Sequence, residues 1–148
     1  MNCYFTLRGL KTLHLRMRAH CENAMAFARH FHGHPKVEAV VYPGLEDDPS
    51  HGMAKKYFRP GFFGGMVCLV VRGGIAEAQK VINSLHMAHY CVSLGDLDTL
   101  VQQPATMTHG KIDPEERRRM GIPDSMIRVS LGGQPRSEER RVGKECRS

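Results

Sequence analysis

Residues 64–74 read Gly-Gly-Met-Val-Cys-Leu-Val-Val-Arg-Gly-Gly, and this stretch decides the fold. Its centre, Met66–Val71, is the longest apolar run in the chain and is typical of a buried strand. The run is far shorter than the ~20 apolar residues that a membrane-spanning helix needs. The flanking glycine pairs lack the G-x-G-x-x-G spacing of a dinucleotide-binding loop, so they predict an entry to the strand and a turn after it.

Helix and strand patterns alternate on both sides of this strand. Apolar residues spaced by three, four and seven positions predict one helix over residues 7–32, which Gly33 and Pro35 end. The other expected elements are strands over residues 37–42, 88–92 and 126–131, helices over 51–58 and 75–85, a loop over 93–112, and a helix that begins at Pro114 with Asp113 as its N-cap. This order predicts an α/β or α+β layer of about four strands backed by helices.

The composition is that of one soluble globular domain without a disulfide framework. Hydrophobic residues make up 41% of the 148 residues, enough for a buried core. The five cysteines are odd in number and contain no C-x-x-C pair, which favours free thiols in a reducing cytoplasm and argues against a thiolate zinc site. The first residues show no basic segment followed by an apolar one, so we expect no signal peptide.

The net charge of +6 comes mostly from basic clusters that carry no interleaved aromatic residues. Such residues would be needed as a stacking platform for single-stranded nucleic acid, so we expect no nucleic-acid partner. A basic surface that meets an anionic cofactor or an acidic partner subunit is the favoured interpretation. The clusters lie in the first helix and at Arg117-Arg118-Arg119.

The residues that could form a functional site are the histidines, Ser93 and the strand arginine Arg128. The histidines at 30–34 and 86–89 would point in different directions, so no metal site is expected. Ser93 follows a strand but lacks the context of a nucleophile elbow, which favours hydrogen bonding to a ligand. Arg128 interrupts an apolar strand, and burying its charge is costly unless it meets a carboxylate. The alternation of this strand also fits a simpler alternative, an arginine on the solvent-facing side.

Several runs of residues stand out by their order along the chain. They include Leu7-Arg8-Gly9-Leu10-Lys11-Thr12-Leu13, His34-Pro35-Lys36-Val37-Glu38, Val41-Tyr42-Pro43-Gly44-Leu45, Ser93-Leu94-Gly95-Asp96, Pro104-Ala105-Thr106-Met107-Thr108-His109 and Ile127-Arg128-Val129-Ser130. Over about residues 5–133 the chain resembles the C-terminal domain of the cysteine and methionine metabolism enzymes that depend on pyridoxal 5'-phosphate (PLP). This family contains methionine γ-lyase, cystathionine γ-synthase, cystathionine γ-lyase and the O-acylhomoserine sulfhydrylases.

The resemblance implies the small C-terminal domain of a fold-type-I PLP enzyme, a mostly antiparallel sheet covered by helices, in a cytoplasmic homotetramer. It implies that Arg128 binds the α-carboxylate of a sulfur amino acid with a bidentate pair. Ser93 and the backbone amide of Leu94 would help to hold that carboxylate, and Thr108 would support Arg128. The Schiff-base lysine and the phosphate ligands would belong to a large domain outside this chain. No catalytic or cofactor-binding residue is therefore assigned, and the chain alone is expected to be inert.

The resemblance also sets the expected boundaries and leaves the substrate open. Residues 1–133 would be the C-terminal domain, and residues 134–148, with one aliphatic residue, a disordered basic tail of non-native origin. Asp96 and Pro114-Glu115-Glu116-Arg117 favour methionine γ-lyase and its α,γ-elimination. Gln103 and residues 59–63 leave cystathionine γ-synthase, cystathionine γ-lyase and the sulfhydrylases as alternatives. A standalone, non-catalytic domain that binds such an enzyme is a further alternative.

Overall fold

Five helices and five strands lie along residues 1–134, the part of the chain that this computed structural model describes. The helices are α1 (Asn2–Leu10), α2 (Leu13–Phe31), α3 (His51–Tyr57), α4 (Ile75–Asn83) and α5 (Pro114–Arg119). The strands are β1 (Val37–Val41), β2 (Met66–Val71), β3 (His89–Tyr90), β4 (Leu100–Gln102) and β5 (Met126–Ser130). Asp113 caps α5 as expected, because its carboxylate accepts hydrogen bonds from the backbone amides of Glu115 and Glu116.

The strands form one sheet in the order β1-β2-β5-β4-β3. The β1–β2, β2–β5 and β5–β4 pairs are antiparallel, and the short β3–β4 pair is parallel. The expected fold class, a mostly antiparallel sheet covered by helices, is confirmed. The prediction of about four strands was low by one. The additional strand, Leu100–Gln102, lies within the segment expected to be a loop and pairs with both β3 and β5. Three residues are too few to show an alternating pattern in the sequence.

The hydrophobic core lies between one face of the sheet and helices α2 and α4. Alternate residues of β2 meet alternate residues of β5, with Val67 opposite Val129 and Leu69 opposite Ile127. All four are buried, and burial of each such side chain contributes about 1.5–3 kcal/mol. The helix residues that complete this core are Ala24, Ala28, Phe31, Ala78 and Ile82. Because side chains alternate along a strand, this core fixes which residues of β5 face the other way.

Two helices replace the single helix expected over residues 7–32. The helix is interrupted at Lys11 and Thr12, and the Arg16 side chain spans the interruption. Its Nη2 donates to the carbonyl oxygen of Gly9 at 2.8 Å, and its Nε donates to the Thr12 hydroxyl at 3.4 Å. The carbonyl groups at a helix end have no partner within the helix, so a cation that binds them stabilises the interruption.

The apolar stripe expected along this helix is buried only in its second half. No residue of α1 is buried, and the side chains of Leu10 and Leu13 remain exposed. Tyr4, Phe5 and Leu7 are exposed as well. The stripe therefore begins to face the sheet only along the C-terminal half of α2.

The segment after β5 is held against α2 and against Thr99, the residue that precedes β4. The ring of His20 bonds to the carbonyl oxygen of Leu131 through Nδ1 at 2.7 Å, and Asn23 donates to the carbonyl oxygens of Gly132 and Gln134 at 2.9 Å. The Gln134 side chain accepts from the backbone amide and hydroxyl of Thr99. Gln134, expected to begin the disordered tail, is thus hydrogen-bonded in the structure. The other residues of the expected tail, 135–148, lie outside the described residues.

Arg117 is buried and is not part of the basic surface that the triple arginine suggested. Its guanidinium donates to Asp124 and, at 3.4 and 3.3 Å, to the carbonyl oxygens of His109 and Ile112. Arg118 donates to the same carboxylate at 3.0 Å. The hydrogen bonds from Arg117 and then Arg118 hold the pKa of Asp124 below its usual value. The ion pair fastens α5 to the segment before β5 that carries Asp124, and the two carbonyl contacts fasten it to the segment that follows Thr108.

Candidate substrate-carboxylate site

Arg128 lies in the middle of β5, on the face of the sheet opposite the main core. Its neighbours Ile127 and Val129 point to the helices, so its own side chain leaves the other face. Across the sheet it stands opposite Cys68 of β2 on one side and Gln102 of β4 on the other. The sequence left two environments open for Arg128, and the structure places it half-buried at the sheet centre.

Each nitrogen of the Arg128 guanidinium has an acceptor. Nη2 donates to the backbone carbonyl oxygens of Val92 at 3.0 Å and Ser93 at 3.2 Å. With the Gln102 amide assigned so that its oxygen faces the guanidinium, this oxygen accepts from Nε at 3.2 Å and from Nη1 at 3.1 Å. The reverse orientation of this amide would place its NH₂ group against those donors. The partners thus come from two neighbouring parts of the chain, β4 and the segment after β3.

All of these acceptors are neutral. Among residues 1–134, no carboxylate lies within ion-pair distance of Arg128. The positive charge is therefore uncompensated, which favours an anion at this face of the sheet. The adjacent thiol of Cys68 is affected in two ways: burial raises its pKa, and the Arg128 charge partly counteracts that rise.

The occupied donors restrict how a carboxylate can bind. An arginine side chain has five N–H groups, and the contacts to Val92, Ser93 and Gln102 occupy four of them. A bidentate pair needs two N–H groups, so a carboxylate that bound Arg128 in this way would have to displace one of these acceptors. Val92 and Ser93 are the accessible acceptors of this set, because residues 92–98 are all exposed whereas Gln102 is buried.

The segment after β3 carries Ser93 and Leu94. Ser93 is exposed, and its backbone amide donates to the Cys91 sulfur at 3.2 Å, while the Leu94 side chain is 61% exposed. Gly95 has a φ of +77°, a conformation that glycine adopts without strain, and its amide donates to the Ser130 hydroxyl at 3.0 Å. The structure thus brings the backbone of Ser93 to Arg128, and the following glycine ties the turn to the end of β5.

Thr108 lies one contact away from Arg128. Its hydroxyl is 3.4 Å from the Gln102 amide and 2.8 Å from Nδ1 of His109. The support expected from Thr108 would therefore pass through Gln102, and the assignment stays a prediction. Sequence reasoning missed Gln102 because β4 itself was not predicted. The signal that could have found it is the register of the sheet, which sets Gln102 opposite Arg128.

The histidines do not converge. His32 pairs with Asp47 at 2.7 Å, and this hydrogen bond lowers the pKa of the Asp47 carboxyl. His89 lies 3.7 Å from Asp98. In the described part of the chain, no three His, Cys, Asp or Glu side chains are grouped so that they could hold a metal ion. None of the helices within residues 1–134 is both long and apolar enough to cross a bilayer.

Comparison with known proteins decides the family. The family described as Cys/Met metabolism PLP-dependent enzyme matches residues 1–135. The chain belongs to this family. The match covers both arginine-binding segments, β4 and the turn after β3. The family dependence on PLP agrees with the cofactor that the resemblance implied.

Curated relatives carry several different names at similar identity. The chain is 42% identical to L-methionine gamma-lyase of Fusobacterium nucleatum subsp. polymorphum over 131 residues, which is 88% of the chain and 33% of the relative. It is 41% identical to cystathionine gamma-lyase of Dictyostelium discoideum, again over 88% of the chain and 33% of the relative. It is 44% identical to cystathionine beta-lyase of Coxiella burnetii, over 87% of the chain and 33% of the relative. The chain thus spans about a third of the length of these enzymes.

Solved structures agree with the fold. Cystathionine gamma-lyase from yeast superimposes with a TM-score of 0.89 at 35% identity, over 94% of this chain and 36% of that one. A structure described as O-acetylhomoserine (thiol)-lyase from Campylobacter jejuni, with N'-pyridoxyl-lysine-5'-monophosphate, gives a TM-score of 0.89 at 29% identity. This match covers 95% of this chain and 33% of that one. The sheet and helices described above therefore form a fragment of a fold-type-I PLP enzyme.

The residues described here fit a carboxylate and do not fit PLP. An imine to PLP needs a lysine in a site shielded from water. Every lysine within residues 1–134 is exposed, namely Lys11, Lys36, Lys55, Lys56, Lys80 and Lys111. No lysine within residues 1–134 therefore lies in a site suited to carry the cofactor.

Proposed function

We propose that this chain is the C-terminal domain of a PLP-dependent carbon–sulfur lyase, most like methionine γ-lyase, and that it supplies the substrate-carboxylate site. The observation that carries the proposal is the guanidinium of Arg128 at the centre of the sheet, whose acceptors within residues 1–134 are all neutral. The substrate would be a sulfur amino acid, since the relatives named above act on methionine and cystathionine. Methionine is preferred because of Asp96 and the run from Pro114 to Arg117.

Arg128 would bind the α-carboxylate through Nη1 and Nη2, and the carbonyl oxygens of Val92 and Ser93 would yield their place on Nη2. Ser93 and the amide of Leu94 would then bind the same carboxylate from the exposed turn. Fixing one end of the amino acid in this way contributes to the reaction by positioning. Thr108 would support Arg128 from the far side of Gln102.

The remaining assignments follow from this role. Residues 1–133 would be the domain and residues 134–148 a non-native extension. The domain would act within a homotetramer and be inert without the lysine-bearing part of the protein, against which the exposed apolar residues of α1 would pack. A cytoplasmic location is favoured by the cysteines, since Cys3, Cys21, Cys68 and Cys91 are all free thiols.

The proposal can be tested in a chimera. Residues 1–134 would replace the matching third of the Fusobacterium nucleatum methionine gamma-lyase, and thiol release from methionine and from cystathionine would be measured beside PLP absorbance. Arg128→Ala should lower kcat/KM for methionine roughly 100-fold, the effect of losing a bidentate charged pair, while PLP absorbance persists. Arg119→Ala is the matched control, because Arg119 is exposed and lies outside the site.

Either result is informative. An unchanged kcat/KM in Arg128→Ala would rule out the carboxylate assignment. Faster turnover of cystathionine than of methionine would move the proposal to cystathionine γ-lyase. The full chain mixed with PLP should release no thiol from methionine, and measurable turnover would contradict the inert fragment.

A further inference from the structure

Gln102 is held more firmly than any other partner of Arg128. It is 1% exposed, and it belongs to β4, whose residues pair with both β3 and β5. Val92 and Ser93, in contrast, lie on an exposed segment outside the strands. The guanidinium therefore has one rigid attachment, through Nε and Nη1, and one exchangeable attachment, through Nη2.

We infer that Gln102 is a positioning residue, which fixes the orientation of the Arg128 guanidinium for the incoming carboxylate. This inference rests on the proposed role of Arg128. The Gln102 oxygen restrains rotation of the guanidinium because it accepts from two of its nitrogens at once. When a carboxylate replaces a backbone carbonyl on Nη2, the two bonds to Gln102 remain. An arginine that is already oriented loses less side-chain entropy on binding than a free one.

The amide suits this task because it is neutral. It accepts hydrogen bonds from the guanidinium without cancelling its charge, so the attraction for an anion is retained. Gln103 offers an internal comparison. It is equally buried, but its amide donates to the carbonyl oxygens of Ile75 and Asp124 at 3.1 and 3.2 Å, which is a role in holding the fold.

The orientation can be measured in the full chain without any activity. Arginine side-chain ¹H–¹⁵N spectra report the exchange of each Nε–H with water, and Arg128→Lys identifies the Arg128 signal by its loss. The Arg128 Nε–H should exchange at least about tenfold more slowly than that of the exposed Arg119, because it is hydrogen-bonded to a buried acceptor. Fast exchange in the unmodified chain would overturn the inference at once.

Variants at position 102 separate orientation from folding. Gln102→Leu and Gln102→Met should raise the Arg128 exchange rate to that of Arg119, with backbone amide signals outside β4 unchanged. Gln102→Glu should keep exchange slow, since a carboxylate oxygen accepts from the same nitrogens. Slow exchange in the leucine and methionine variants would also overturn the inference.

The consequence for binding is measured in the PLP-loaded chimera. Gln102→Leu should raise KM for methionine roughly tenfold and change kcat less than about twofold, as expected for a lost hydrogen bond to a charged group. Gln103→Met should lower Tm and leave KM unchanged. If Arg128→Ala has no effect, the proposed function fails. If Arg128→Ala raises KM and Gln102→Leu does not, the positioning role alone fails.

Discussion

Arg117 and Arg118 provide a matched pair for measuring what burial adds to an ion pair. They are consecutive residues of α5 that donate to the same Asp124 carboxylate, but the Arg117 side chain is 4% exposed and that of Arg118 is 59% exposed. We predict that Arg117→Met lowers the free energy of unfolding by about 2 kcal/mol. Arg118→Met should lower it by less than about 1 kcal/mol, the usual range for an exposed pair.

The value for Arg117 follows from its contacts. Its charged hydrogen bond to Asp124 contributes about 1.5–3 kcal/mol. The bonds to the carbonyl oxygens of His109 and Ile112 are long, at 3.4 and 3.3 Å, and add little. The buried Nε has no partner within residues 1–134, which offsets about 1 kcal/mol of the gain. Removal of the arginine should therefore cost about 2 kcal/mol, a large part of the stability of a small domain.

The assay is urea unfolding of both variants, followed by circular dichroism, with an unchanged m-value as the condition for comparison. Because the folded pKa of Asp124 is lowered, its contribution is full above the unfolded pKa of about 3.9 and is lost as the pH falls through the lowered value. The difference in the free energy of unfolding between the unmodified chain and Arg117→Met should therefore shrink as the pH falls over the same range. If Arg117→Met and Arg118→Met lower the free energy of unfolding equally at pH 7, the argument from burial is refuted.

Two further predictions concern close packing and the thiols. Gly132→Ala should destabilise the chain by about 1–3 kcal/mol, because a Cβ there would lie 2.2 Å from the carbonyl oxygen of Leu97. Gly133→Ala is the control: the nearest atom to its Cβ would be 3.4 Å away, so it should change stability by less than about 0.5 kcal/mol. Similar unfolding midpoints of the two variants would contradict this prediction. Iodoacetamide at pH 7.5 should label exposed Cys3 at least about tenfold faster than Cys21 and Cys68, since burial raises the pKa of both of those thiols. Peptide mass spectrometry measures the labelling rate of each cysteine, and equal rates would contradict the prediction.

The elements that the sequence predicted well are those whose side-chain period is long enough to be visible. β2 is a continuous apolar run of six residues, β5 is apolar except for Arg128 and Ser130, and α4 repeats its apolar residues with a helical period over nine. β4 has three residues and exists because β5 and β3 supply hydrogen-bonding partners from elsewhere in the chain. The break between α1 and α2 escaped prediction for a related reason, since its apolar pattern continues across Lys11 and Thr12.

The candidate site shows the same division. Motifs drew attention to Ser93, Thr108 and Arg128 through a family resemblance, and the family itself is confirmed. Their roles in binding substrate stay predictions. No motif pointed to Gln102, because its place beside Arg128 depends on strand pairing between residues 26 positions apart. Arg117 was grouped with two exposed arginines, and only the position of Asp124 shows why it is buried.

The sequence by itself determined the family, the class of fold and the positions of the longer helices and strands, because these depend on residue types and on patterns within one element. The tertiary structure alone decided the partners of Arg128, the place of β4 and the burial of Arg117. Those features depend on which distant residues meet across the sheet or against α5. A single guanidinium is costly to bury and inexpensive to expose, so its environment depends on the groups that folding brings within hydrogen-bonding distance.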